Sequence, residues 1–125
     1  MKKFALVLAT TIGLTLTSMA TAHGVRAQHG GVDTTSGNMQ FELVKHNGEA
    51  VIYVGGSHGE VVSTTGATGV LTVLKGDKKT EVALIPSVPN TLATKANTKL
   101  PDGVLVSATI VFANKNTVTV PFSAK

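Results

Sequence analysis

Four histidines are the residues of this sequence best able to do chemistry, and each stands beside glycine or within a turn. They are His23-Gly24, His29-Gly30-Gly31, His46-Asn47-Gly48 and His58-Gly59. An imidazole in such a setting is exposed and its backbone can adjust, which is what recruiting a metal ion requires. Nitrogen donors suit Cu(II), Ni(II) and Zn(II), with Cu(II) at the top of the affinity order. Any one of these histidines alone is better explained as an ordinary polar loop residue.

What distinguishes His23 is the segment before it. Lys2 and Lys3 form a positive start, residues 4–16 an apolar run broken by Thr and Gly, and Ala20-Thr21-Ala22 a small-x-small site, the arrangement of a secretory signal peptide over residues 1–22. The run is shorter than the about 20 apolar residues that span a bilayer. Cleavage after Ala22 would make His23 the new terminus, with α-amine and imidazole together as a chelate. A cut after Ala27 would leave Gln28-His29 there instead. The short Lys-Lys start points to export to a bacterial periplasm, and the absence of cysteine excludes a lipoprotein anchor at the cleavage point.

The elements that must position these groups read as strands. Gln40-Phe41-Glu42-Leu43-Val44 alternates, Ala50-Val51-Ile52-Tyr53-Val54 is a β-branched run, and Asn47-Gly48 between them is a tight-turn signal. Val70 to Leu74 and Thr80 to Ile85 flank a second turn, with Pro86 and Pro89 expected to end the latter strand. Thr91 to Thr94 is a short strand, and Val104 to Phe112 and Thr117 to Phe122 form a last hairpin around Ala113-Asn114-Lys115-Asn116. About seven short strands and no helical period predict an all-β fold, a small antiparallel β-sandwich of immunoglobulin-like dimensions, with a small barrel as the alternative. Cys and Trp are both zero, so the immunoglobulin core disulfide and tryptophan are missing. The alternation nominates Phe41, Leu43, Val51, Tyr53, Leu71, Val73, Val82, Leu84, Leu92, Leu105, Ile110, Phe112, Val118 and Val120 for the core. At 125 residues the chain holds one domain. Residues 38–125 are expected to form it, and the Gly-rich residues 23–37 a flexible arm.

This organisation sorts the histidines. The arm lies at the start of the first strand, and the returning strand carries Gly55-Gly56-Ser57-His58-Gly59 back beside it. His23, His29 and His58 are therefore the expected metal ligands, for Cu(II) or Zn(II), while His46 falls at the opposite end. Asp33 and Glu60 are candidate oxygen ligands and Met39 a candidate thioether, although solvated charges and core packing explain them as well.

Other functions find little support. Without Lys2 and Lys3 the chain has nine basic against seven acidic side chains, and its lysines look scattered, which gives no nucleic-acid footprint. There is no cysteine nucleophile and no His-Glu-x-x-His helix. Gly66-Ala67-Thr68-Gly69 matches no phosphate-binding fingerprint, so no enzyme is expected.

Taken together, the Ala-x-Ala site followed by His-Gly and His-Gly-Gly, then Gln40 to Val44, Gly66 to Gly76, Lys79 to Leu84 and Thr117 to Phe122, resemble small proteobacterial periplasmic proteins associated with heavy-metal (copper/RND) efflux systems. That resemblance implies a periplasmic accessory role in metal handling, with an efflux component as partner. More loosely, the chain is similar to copper-resistance β-sandwich proteins with histidine at the mature N-terminus, although it lacks their methionine-rich segment. The expectation is a metal-capturing or buffering protein. The contrasting one is a non-metal interaction module of a cell-envelope complex.

Overall fold

A computed structural model describes residues 27–102 and 104–122. The signal-peptide segment and His23 lie outside the described residues. The rest is built from one hairpin signal after another. Asn47 and Gly48 both take positive φ, 54° and 83°, the two-residue turn whose twist suits a hairpin, and they join β2 (Met39–His46) to β3 (Glu49–Gly56). Glycine at position 48 serves packing as well: a Cβ there would lie 2.9 Å from the Thr98 carbonyl oxygen. Gly76-Asp77 likewise joins β4 (Thr68–Lys75) to β5 (Lys78–Ser87). After the short β6 (Thr91–Ala93), β7 (Leu105–Val111) and β8 (Thr117–Phe122) close on a turn in which Phe112 and Asn116 share a 2.8 Å backbone hydrogen bond.

One strand was not anticipated. Val32–Ser36, inside the segment read as a flexible arm, forms β1 and pairs antiparallel with β2, Val32 opposite Leu43 and Ser36 opposite Met39. Its Val-Asp-Thr-Thr-Ser composition carries one apolar residue, so hydrophobic alternation could not reveal it; the strand exists because β2 offers a free edge. The ordered unit thus begins before residue 38.

All neighbours are antiparallel in the order β1-β2-β3-β6-β5-β4-β7-β8. The all-β, antiparallel expectation is met. The arrangement, however, is one eight-stranded sheet nearly closed into a barrel, with β1 touching β8 but sharing no ladder with it. An immunoglobulin-like sandwich of about seven strands would keep two sheets apart. Here β5 is ten residues long and serves both halves, pairing with β4 from Lys78 to Leu84 and with β6 from Ile85 to Ser87. Pro86 therefore does not end the strand. It lies beyond the last β4 partner, where β5 is paired on one side only, a place that tolerates a missing N–H donor.

The interior is filled by Phe41, Leu43, Ile52, Val54, Leu71, Val73, Leu84, Leu92, Val106, Ile110, Val120 and Phe122 with smaller neighbours. Three nominated core residues face outward instead: Val51, Tyr53 and Leu105, the last 59% exposed. For Val51 and Tyr53 the reason is register. A two-residue turn at Asn47-Gly48 sets Phe41 opposite Val54 and Leu43 opposite Ile52, and opposed residues share a face. A continuous β-branched run conceals that phase until the turn is counted.

Candidate functional site

The outer face of β2 is where polar groups go into hiding. Gln40 and Glu42 point away from the barrel interior yet are buried, Glu42 to 6% exposure, because residues 28–31 cross over them before entering β1. The Glu42 carboxylate organises that crossing. Its Oε1 accepts from the Gln28 N–H at 3.0 Å and the His29 ring Nδ1 at 2.9 Å, and its Oε2 from the His29 N–H at 2.8 Å and the Gly31 N–H at 2.9 Å. Gly31 makes the approach feasible, since a Cβ there would overlap the Leu43 carbonyl and the Val44 side chain.

Burial, the largest influence on Glu42, pushes its carboxyl upward. The hydrogen bonds from the His29 ring and from the Gly31, Gln28 and His29 backbone together outweigh it and hold the group below the ordinary glutamate value. Glu42 is therefore an anion at neutral pH, and an anion only accepts. The proton in the 2.9 Å contact accordingly sits on His29 Nδ1, which in the neutral ring leaves the lone pair on Nε2. The ring is also held in plane. It stacks on Tyr53, centroids 3.7 Å apart and planes within 3°, Tyr53 being the residue directly opposite Glu42 across the β2–β3 ladder.

His29 opens on a cavity of roughly 300 Å³. Gln40, Glu42 and Tyr53 form one side, Gly55 and Gly56 its floor, and Gly59, Glu60 and Val61 the other side. The far wall is a loop fixed at several points. Ser57 N–H donates to the Asn38 carbonyl at 3.0 Å and Gly56 N–H to the Glu60 carbonyl at 2.8 Å. The fully buried Thr64 hydroxyl lies 3.1 Å from the Ser87 carbonyl and 3.0 Å from that of Thr91. The Glu60 carboxylate folds over Gly56 into the volume a Cβ would need, and accepts from the His58 N–H at 3.0 Å. Among the described residues no lysine or arginine lines the cavity, and two carboxylates and an imidazole there favour a cation.

The other nominated residues divide clearly. His58 is exposed on the turn beside Glu60; its neighbours Gly59 and Glu60 line the cavity, although its own side chain does not. His46 is at the far end of the β2–β3 hairpin, where its ring contacts Asn47 at 3.2 Å. Asp33 accepts from Gln40 Nε2 at 3.4 Å, and Met39 packs against the core rather than offering a free thioether. Among the described residues no three His, Asp or Glu side chains converge as a ligand set. The sequence reading missed Glu42 and Tyr53; the hairpin register, which sets them opposite one another on the face away from Phe41, was the signal that could have found them.

No protein-family model, curated protein or solved structure matches this chain.

Proposed function

We propose that this is a periplasmic metal-binding accessory protein that captures or buffers Cu(II) or Zn(II), with His29 as its fixed ligand. The observation that carries this reading is the buried Glu42 carboxylate holding His29 Nδ1–H, so that Nε2 stands ready at an acidic cavity. Histidines that ligate metals are commonly oriented by just such a carboxylate, which fixes the tautomer and raises the basicity of the free nitrogen. In this account His23 and His58 complete the nitrogen set, the His58 ring swinging in from the turn beside Glu60. An N-terminal signal peptide delivers the chain to the periplasm, and a metal-efflux component receives the ion.

Calorimetric titration with Cu(II) and Zn(II) tests it. One ion should bind per chain, His29→Ala should weaken binding at least tenfold, Glu42→Gln by about 10- to 100-fold, and His46→Ala should change nothing. Absence of binding at micromolar metal would overturn the proposal. The second reading, a non-metal interaction module of a cell-envelope complex, is favoured by Val61 and Val88, 63% and 74% exposed on loops joined by the Thr64 N–H to Pro89 carbonyl hydrogen bond. That reading predicts a partner whose capture survives chelator and the His29→Ala change.

A further inference from the structure

At the other end of the barrel the structure gathers charges that look dispersed along the chain. Lys75 and Lys78 are directly opposed where β4 meets β5, and by alternation from the buried Val73 they lie on the inward face. Lys99 joins them from the loop between β6 and β7, which is tied to the β2–β3 hairpin by the Leu100 N–H to Gly48 carbonyl hydrogen bond at 2.8 Å. Together they rim a cavity of roughly 280 Å³ whose floor is Val73, Val82, Leu100 and Pro101. This is the mouth of the rolled sheet.

Two features of the mouth demand a counterpart. Like charges directly across a ladder destabilise a strand pair, and among the described residues none of the three lysines has an ion-pair partner. Beneath them the apolar floor meets solvent, in a cavity just below the range of about 300–1,000 Å³ that ligand cavities occupy. Barrel mouths are a preferred position for small-molecule sites. A ligand that satisfies both features has an acidic head and an alkyl body.

We propose that this mouth binds a single-chain anionic amphiphile, of the fatty-acid type, with its acidic head on Lys75, Lys78 and Lys99 and the first part of its alkyl chain against Val73, Val82 and Leu100. The site is independent of the His29 cavity, which lies at the opposite end of β2 and β3. The head is anionic because the charged side chains lining the mouth are all ammonium groups, with the Thr80 and Thr98 hydroxyls beside them. The chain enters partway, since Leu71, Ile52 and Phe41 fill the interior behind the floor.

Laurate, dodecyltrimethylammonium and dodecanol, each below its micellar or solubility limit, are titrated into the isotope-labelled protein and followed by backbone amide NMR. Laurate should saturably shift the amides of Val73, Lys75, Lys78 and Leu100. The cationic and neutral chains should not do so at the same concentration. Lys78→Glu combined with Lys99→Glu should weaken laurate at least tenfold while keeping a folded spectrum, and Lys115→Glu, outside the mouth, should leave it unchanged. Lys78→Gln alone serves if the double variant does not fold. An equal response to all three chains, shifts centred elsewhere, no saturable shift, or binding seen only with anionic phospholipid vesicles would overturn the proposal.

Discussion

At the scale of single residues the protein turns on Glu42. Four donors converge on one carboxylate that is almost wholly out of solvent. Removing the charge leaves N–H groups of residues 28–31 without an adequate acceptor, which costs about 1–3 kcal/mol for a buried group. Glu42→Gln should accordingly lower the urea midpoint of the metal-free protein at neutral pH. Acid should erase the difference. Because the folded state holds the carboxyl below its ordinary value, the stabilisation is fully present above the unfolded glutamate range and is lost as pH falls through the lower, folded value. Wild type and Glu42→Gln should converge at acid pH, and an unchanged gap there would show that Glu42 stabilises by packing alone.

At the scale of elements, the crossing segment and the Thr64 loop hold the two walls of the cavity, and each has a position that can be tested. Gly31→Ala places a methyl against the Leu43 carbonyl, so residues 28–31 should lift from β2. Amide exchange should rise at His29 and Gly31 while the β4–β7 amides stay protected. Thr64→Val removes a buried hydroxyl that serves the Ser87 and Thr91 carbonyls and should cost about 1–3 kcal/mol by denaturant unfolding. Most of the strands were legible in the sequence, because Asn47-Gly48, Gly76-Asp77 and the Ala113 to Asn116 turn punctuate regular alternation. β1 was not, since Asp33, Thr34 and Thr35 reveal no apolar face, and neither was the orientation of Tyr53, since Ala50 to Val54 is apolar throughout. His29 was singled out by residue type and glycine context; the carboxylate that orients it was hidden because a glutamate alternating with Phe41 and Leu43 looks like a solvated strand position.

At the scale of the whole molecule, one rolled sheet separates two chemistries. Carboxylates and an imidazole surround the cavity at the β1–β2 end, and Lys75, Lys78 and Lys99 surround the mouth where β4 turns into β5. Lysines spaced irregularly in sequence could not announce this, because hairpin turns and the loop after β6 bring them together only in three dimensions. The two ends are joined by a packed core, so a ligand at one should leave the other in place. Zn(II) binding should not shift the Val73 and Lys75 amides, and a shift there as large as at His29 would mean that the ends are coupled. The interior itself is unforgiving: Phe41 is fully buried between the halves, and Phe41→Ala should cost about 3–5 kcal/mol in thermal or denaturant unfolding.

The central claim is that His29 is a pre-oriented metal ligand, and the measurement closest to it is long-range proton–nitrogen NMR of the histidine rings, recorded before and after one equivalent of Zn(II). A proton should sit on His29 Nδ1 throughout, and zinc should shift Nε2, by less in Glu42→Gln, with His46 unmoved. A His29 ring unaffected by zinc, or a response confined to His46, would contradict it.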